Sequence, residues 1–151
     1  MKTDNTAIAI RRARADEGAR AVQIWQEAVD ATHQFLSAPD RLAIQTLVRE
    51  FLPSAPLWFA VDAHDRPLAL MLIEDGHMQA LFVDPAYRGT GVGAALVRQG
   101  LALHPRMTTD VNEQNHQAVG FYERMGFRRT GQSPRDHQGK PYPLIHLEYA
   151  P

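Results

Sequence analysis

An arginine followed by three alternating glycines, Arg88-Gly89-Thr90-Gly91-Val92-Gly93, carries the clearest chemical meaning in this chain. Glycine has no Cβ, so three at this spacing remove the side chains that would keep a ligand off the backbone. Val92 to Val97 then reads as the opening of an apolar helix, whose first N–H groups have no partners and sit at the positive end of its dipole. A phosphate or pyrophosphate suits that place. Arg88 would add a fixed cation with paired donors.

Three other readings of the run compete with this one. Gly89-x-Gly91-x-x-Ala94 fits a loose dinucleotide fingerprint, and Asp110 lies about twenty residues on, where a ribose-binding acid is expected. A dinucleotide loop follows its strand directly, however, whereas Asp84 to Tyr87 intervene here. A Walker A loop is excluded, because no Gly-Lys-Ser/Thr closes the run. A purely structural turn needs only one glycine. Three beside an arginine favour a ligand.

The elements that must position this loop follow from periodicity and turn chemistry. Ala7 to Arg12 reads as a first strand. Asp16 suits the N-cap of a helix with Val22, Trp25 and Val29 on one face. Ser37, Pro39 and Asp40 start a second helix, with Ile44, Leu47, Val48 and Phe51 as one buried stripe, ended by Pro53 and Pro56. Leu57 to Val61 and Pro67 to Glu74 are strand-like. Asp75-Gly76 marks a tight hairpin, and His77 to Val83 returns into the glycine run. A helix from Val92 to about His104, a strand from Met107 to Val111 and a helix from Gln114 to Met125 capped by Gly126 follow. Phe127 to Gln132 and Tyr142 to Tyr149 are the last strands. The order β-α-α-β-β-β-α-β-α-β-β is mixed α+β.

Composition narrows the classes. With 151 residues, 44% of them hydrophobic, the chain suits one domain spanning 1–151, with residues 1–6 expected to be disordered. A net charge of −1 gives no global attraction to nucleic acid or to an anionic membrane, so neither is expected as a partner. No cysteine is present, which removes disulfides, a thiolate nucleophile and thiolate metal ligands. The seven histidines include no pair at the i, i+4 spacing of zinc helices, so no metal is expected. The N-terminus lacks the apolar core of a signal peptide, which points to the cytoplasm.

A second run, Asn115-His116-Gln117-Ala118-Val119-Gly120-Phe121-Tyr122-Glu123-Arg124-Met125-Gly126-Phe127, puts Asn115, Ala118, Tyr122 and Met125 on one helix face. Such a stripe also serves as core, and Tyr122 as a packed tyrosine with a bonded hydroxyl. Together with the glycine loop, this run resembles the GNAT acetyltransferase family. Arg88 to Gly93 match its Arg/Gln-x-x-Gly-x-Gly/Ala motif, and the second run matches Asn-x-x-Ala-x-x-Phe-Tyr-x-x-x-Gly-Phe. The order of elements is also that of the GNAT fold, a mostly antiparallel sheet flanked by helices.

The resemblance implies acetyl-CoA as cosubstrate, held at Arg88, Gly89, Thr90, Gly91, Val92, Gly93 and Ala94. It implies that backbone groups of Leu81, Phe82 and Val83 align the thioester, that Asn115 holds the pantetheine arm, and that Tyr122 lies by the sulfur. There a phenol can give a hydrogen bond or a proton to the departing thiolate. Direct attack in a ternary complex needs no enzyme nucleophile. Many members carry a carboxylate where Gln79 stands, and a carboxamide takes no proton at neutral pH. Water, His77 or His33 are left as proton acceptors, His77 sharing a sheet face with Gln79.

The stretches around His33, His77 and Tyr142 are similar to the YjaB-like bacterial group of that family. This likeness places His33, His77, Gln79 and Tyr142 around the pocket of an amine acceptor whose identity stays open. The expected activity is N-acetylation of a primary amine on a small molecule or protein, by a monomer or homodimer. A coenzyme A-binding sensor with little or no transferase activity is the alternative, and Gln79 motivates it.

Overall fold

The computed structural model describes residues 7–151; the segment 1–6 lies outside the described residues. Among the described residues, seven strands and four α-helices follow one another in the expected order and fall into two units, residues 7–72 with 80–99 and residues 73–79 with 100–151.

In the first unit, β1 (Ala9–Arg12) pairs antiparallel with β2 (Trp58–Val61), and β2 with β3 (Pro67–Glu74). Helix α1 (Gly18–Thr32) turns Ala21, Ile24, Trp25, Ala28 and Val29 inward. Ile24, Phe59, Leu70 and Leu72 form the centre of this core and are almost fully buried. Each side chain of that size contributes about 1.5–3 kcal/mol by leaving water. Ser37 caps α2 (Ala38–Phe51), its hydroxyl accepting from the Asp40 N–H at 3.3 Å.

Two expectations fail in this unit. Asp16 is not the N-cap of α1. It lies inside a 3-10 turn, Ala15–Glu17, and Glu17 occupies the cap. The Glu17 carboxylate accepts the Arg14 N–H at 2.9 Å and both Arg11 Nη groups at 2.9 and 2.7 Å, which draws the turn tight ahead of the helix. Nor is the α2 stripe buried. Ile44 and Val48 are partly covered, but Leu47 and Phe51 are about half exposed and Leu42 more so. The periodicity is helical, yet only one edge of its apolar face meets the core.

In the second unit, Asp75 (φ 52°) and Gly76 (φ 79°) make the tight turn from β3 into β4 (His77–Val83). Strand β4 pairs in parallel with β5 (Met107–Asn112) at His77↔Thr108 and Met78↔Thr109, and that ladder extends no further among the described residues. Strand β5 pairs antiparallel with β7 (Leu144–Tyr149) over its whole length, and β7 with β6 (Arg128–Ser133). Met107, Thr109 and Val111 point inward from β5, while Thr108, Asp110 and Asn112 take the other, partly exposed face. Helix α4 (His116–Arg124) ends at Gly126 with φ 106°, where an added Cβ would meet the Tyr149 ring at 3.0 Å. No helix of the described residues is long and apolar enough to cross a membrane.

Candidate active site

The glycine loop of the first unit is held from below by Asp84, which follows β4 and is 7% exposed. One carboxylate oxygen accepts the Ala86 N–H at 3.0 Å and so caps the 3-10 turn Pro85–Tyr87. The other accepts from Arg20 Nη2 at 2.9 Å. Arg20 reaches down from α1 and also donates to the Pro67 carbonyl at 2.8 Å, and the Asp84 N–H donates to the Leu68 carbonyl at 2.9 Å. Above this anchor the Thr90 hydroxyl donates to the Tyr87 carbonyl.

Gly89 and Gly91 have φ of 74° and 92°, a region that L side chains rarely adopt. A Cβ built on either would meet nothing within 4 Å, so the space over the loop is open. Helix α3 (Val92–Leu103) begins here, and the Ala95 N–H donates back to the Gly91 carbonyl at 3.0 Å. The amides of Val92, Gly93 and Ala94 therefore precede the first helical bond and keep the positive end of the dipole. Arg88 is exposed and has no ion pair among the described residues. Open space, leading amides and an uncommitted cation fit a pyrophosphate. Leu81, Phe82 and Val83, each half-buried, lead into this loop along β4.

In the second unit Tyr122 is buried among rings, edge-on to Phe121 and Phe127 with centroids 5.1 and 5.4 Å away. Burial pushes its phenol well above the ordinary range, against the opposing pull of a hydrogen bond with Thr109. The Thr109 hydroxyl donates in turn to the Met78 carbonyl at 2.9 Å. Asn115 caps α4, its Oδ1 accepting the Ala118 N–H at 3.2 Å, which is why the helix starts at His116 and not at Gln114. Its amide N–H groups remain for a ligand. Gln79 is exposed, and Tyr142 is buried at the end of the loop before β7.

His33, in the first unit, makes a poor proton acceptor. Burial lowers its pKa to about 4. The Thr32 hydroxyl donates to the Ala28 carbonyl at 2.7 Å, so the His33 Nδ1–H donates to Thr32 Oγ1, also at 2.7 Å. A depressed imidazole pKa means the unfolded chain binds more protons between pH 4 and 6.5, so this contribution to stability is present above about 6.5 and is lost as pH falls toward 4. After allowance for solvent screening, the His33→Gln variant is expected to lose on the order of 1–2 kcal/mol less stability than the parent between pH 7.5 and 5. Urea unfolding at the two pH values measures this. Parallel losses would remove His33 as the cause.

A polar cluster centred on Asp110 lies beyond what the motifs announce. Asp110 is not a ribose-binding acid: it lies on β5, its Oδ1 accepting from His146 Nδ1 at 2.6 Å and its Oδ2 from His137 Nε2 at 2.9 Å. His77 Nε2 lies 3.4 Å from the same Oδ2, and His77 Nδ1 bonds the Thr108 hydroxyl at 2.7 Å. The Ser133 hydroxyl and His146 Nε2 share a hydrogen bond of 2.6 Å. Burial works to raise the Asp110 pKa, but the His146 bond, the His77 charge and the His137 bond together hold it below the usual carboxylate value. These nitrogens are directed at a carboxylate, and no group of three or more such side chains among the described residues could hold a metal ion. The sequence carries one signal for the cluster, the parity that puts Asp110 and Thr108 on one strand face; nothing in it says that β7 lies beside β5.

Comparison with known proteins extends the picture. The acetyltransferase (GNAT) domain pattern matches residues 21–142. The chain is 56% identical to the peptidyl-lysine N-acetyltransferase YjaB of Escherichia coli over 142 residues, covering 94% of this chain and 97% of that protein. The solution structure of apo-form YjaB from Escherichia coli superposes with a TM-score of 0.91, at 56% identity and with 94% and 97% of the two chains covered. A PaiA N-acetyltransferase from Thermoplasma acidophilum, solved with coenzyme A, shares the fold at a TM-score of 0.74 and 15% identity, over 95% of this chain and 99% of that one.

Proposed function

Because this chain belongs to the GNAT acetyltransferase family, we propose that it moves the acetyl group of acetyl-CoA onto the ε-amine of lysines in proteins. N-acetyl transfer from acetyl-CoA follows from the family. The peptidyl-lysine acceptor rests on one observation, the 56% identity over 97% of a relative that carries that name. We read residues 1–151 as one catalytic domain, since β3, β4 and α3 each contribute residues to both units, and we place its reaction in the cytoplasm.

Acetyl-CoA supplies the activated acyl group. Arg88 and the amides from Gly89 to Ala94 bind its pyrophosphate, Asn115 steadies the pantetheine arm with its amide N–H groups, and the backbone of Leu81 to Val83 orients the thioester. Tyr122 serves the departing sulfur. A phenol whose pKa burial has raised stays protonated; by turning its O–H from Thr109 to the sulfur, it stabilises a thiolate with a hydrogen bond in preference to giving up its proton.

Calorimetric titration with acetyl-CoA tests the binding half of this reading. One-site binding is expected, weakened roughly ten- to a hundredfold in Arg88→Ala, the usual consequence of losing a charge-assisted contact. No binding to folded protein would overturn it. A panel of lysine peptides tests the other half by coenzyme A release. Gln79 favours a second reading, a sensor that binds the nucleotide but transfers nothing, and turnover on any peptide removes that alternative.

A further inference from the structure

Acetylation at neutral pH requires a proton acceptor, because a lysine amine arrives as an ammonium and has no lone pair until it loses a proton. Gln79 cannot take that proton. Gln79 and Asp110 are the next residues along β4 and β5 after the last ladder pair, Met78↔Thr109. His77 and Thr108, one pair earlier, bond side chain to side chain on the Asp110 face. A carboxylate therefore stands one residue past the last ladder pair on β5, as Gln79 does on β4, and it carries imidazoles.

Only one of those imidazoles has a nitrogen to spare. His77 has Nδ1 on Thr108 and Nε2 toward Asp110. His146 has Nδ1 on Asp110 and Nε2 on Ser133. His137 uses Nε2 on Asp110, is 72% exposed, and its Nδ1 has no partner among the described residues. A carboxylate only accepts, so the His137 Nε2–H is the donor, and in the neutral ring Nδ1 carries the lone pair. This is the arrangement in which an acid fixes an imidazole's tautomer and steadies the cation formed when its far nitrogen takes a proton.

The backbone holds His137 in that pose. It follows Asp136 in a turn whose Gly139 N–H donates to the Asp136 carbonyl at 3.0 Å, Gly139 having φ 77°. The Asp136 carboxylate accepts the Gln138 and Lys140 N–H groups at 2.9 and 2.8 Å, and Arg135 Nη1 donates to the Gly139 carbonyl at 3.0 Å. An Asx turn braced in this way limits where an exposed loop residue can point.

We propose that His137, anchored on Asp110, is the general base for the acceptor amine, replacing the carboxylate that Gln79 lacks. The inference rests on the acetyl-transfer reading above. The ammonium gives one proton to His137 Nδ1. The freed lone pair forms the C–N bond as the C–S bond breaks, the second N–H proton leaves with the thiolate sulfur, and His137 returns its proton to solvent. His137 is the catalytic group; Asp110 is a positioning residue.

The test compares parent, His137→Ala and Asp110→Asn in lysine-peptide acetylation, with and without added imidazole. His137→Ala should keep its acetyl-CoA affinity and lose kcat by about a hundredfold or more. Free imidazole should restore its rate in proportion to concentration. Asp110→Asn should lose about tenfold and gain nothing from imidazole, because its own ring is still in place. An undiminished His137→Ala rate overturns the proposal, and so does a loss that imidazole does not repair, which marks a structural role. A parent that binds acetyl-CoA but acetylates no peptide overturns the acetyl-transfer reading itself, and the assignment of His137 falls with it.

Discussion

Tyr122→Phe is expected to acetylate lysine peptides about a hundred- to a thousandfold more slowly than the parent, with its affinity for acetyl-CoA unchanged. The substitution keeps the ring, and with it the edge contacts to Phe121 and Phe127 that hold α4 in its unit. It removes one donor. The Thr109 hydroxyl keeps its bond to the Met78 carbonyl, so no buried donor is orphaned and the stability change should be within about 1 kcal/mol. Charge develops on sulfur only as the C–S bond breaks, so a hydrogen bond to that atom lowers kcat's barrier without strengthening ground-state binding. A single-turnover measurement on protein preloaded with acetyl-CoA isolates this step from product release. An unchanged single-turnover rate would mean that Tyr122 is a packed tyrosine, the alternative its helical spacing also allows.

Where local chemistry decides an outcome, the sequence is sufficient. Strands β3 and β4 begin and end where expected, because Asp75-Gly76 accepts positive φ at both central positions and so sets the hairpin's register. The loop glycines belong to the same class: Gly89 and Gly91 adopt the backbone that their side-chain-free character permits. Where the outcome depends on a distant partner, the sequence is silent or misleading. The spacing of Leu47 and Phe51 correctly marks a helix, but periodicity does not say how wide a stripe its neighbours will cover. Asp16 loses the cap of α1 because Arg11 draws in Glu17, an interaction between two side chains six residues apart. Asp110 shows the limit most clearly. Its meaning comes from His77, His137 and His146, which reach it from β4, a turn and β7. No motif spans those separations, so in the sequence alone the residue fits only the loose dinucleotide pattern. The same cross-strand geometry turns Gln79 from an argument against catalysis into one about which residue took over the proton.

Asp84→Ala is expected to lower the unfolding free energy by about 2–4 kcal/mol, read as a shift in urea midpoint at constant m. Two losses combine. The Ala86 N–H loses its cap, worth about 1 kcal/mol, and the Arg20 guanidinium loses its carboxylate in a setting where Asp84 is nearly buried. Arg20 is 27% exposed and keeps the Pro67 carbonyl, which holds the total below that of a fully buried pair. Asp84→Asn separates the two, since a carboxamide oxygen still caps Ala86 while the charge is gone. The consequence for ligand binding is a sharper test of how the loop is built. Asp84 has no part in the proposed pyrophosphate contacts; it fixes where β4 ends and therefore where Arg88, Gly89 and Gly91 are presented. Acetyl-CoA at a hundred times the parent's Kd should stabilise the parent by about 2.7 kcal/mol. At that same concentration the Asp84→Ala protein should gain less, because its amides and Arg88 are no longer held in the binding arrangement. An equal increment in both would show that the loop takes its shape from its glycines alone, and that the buried aspartate under it serves the fold and not the site.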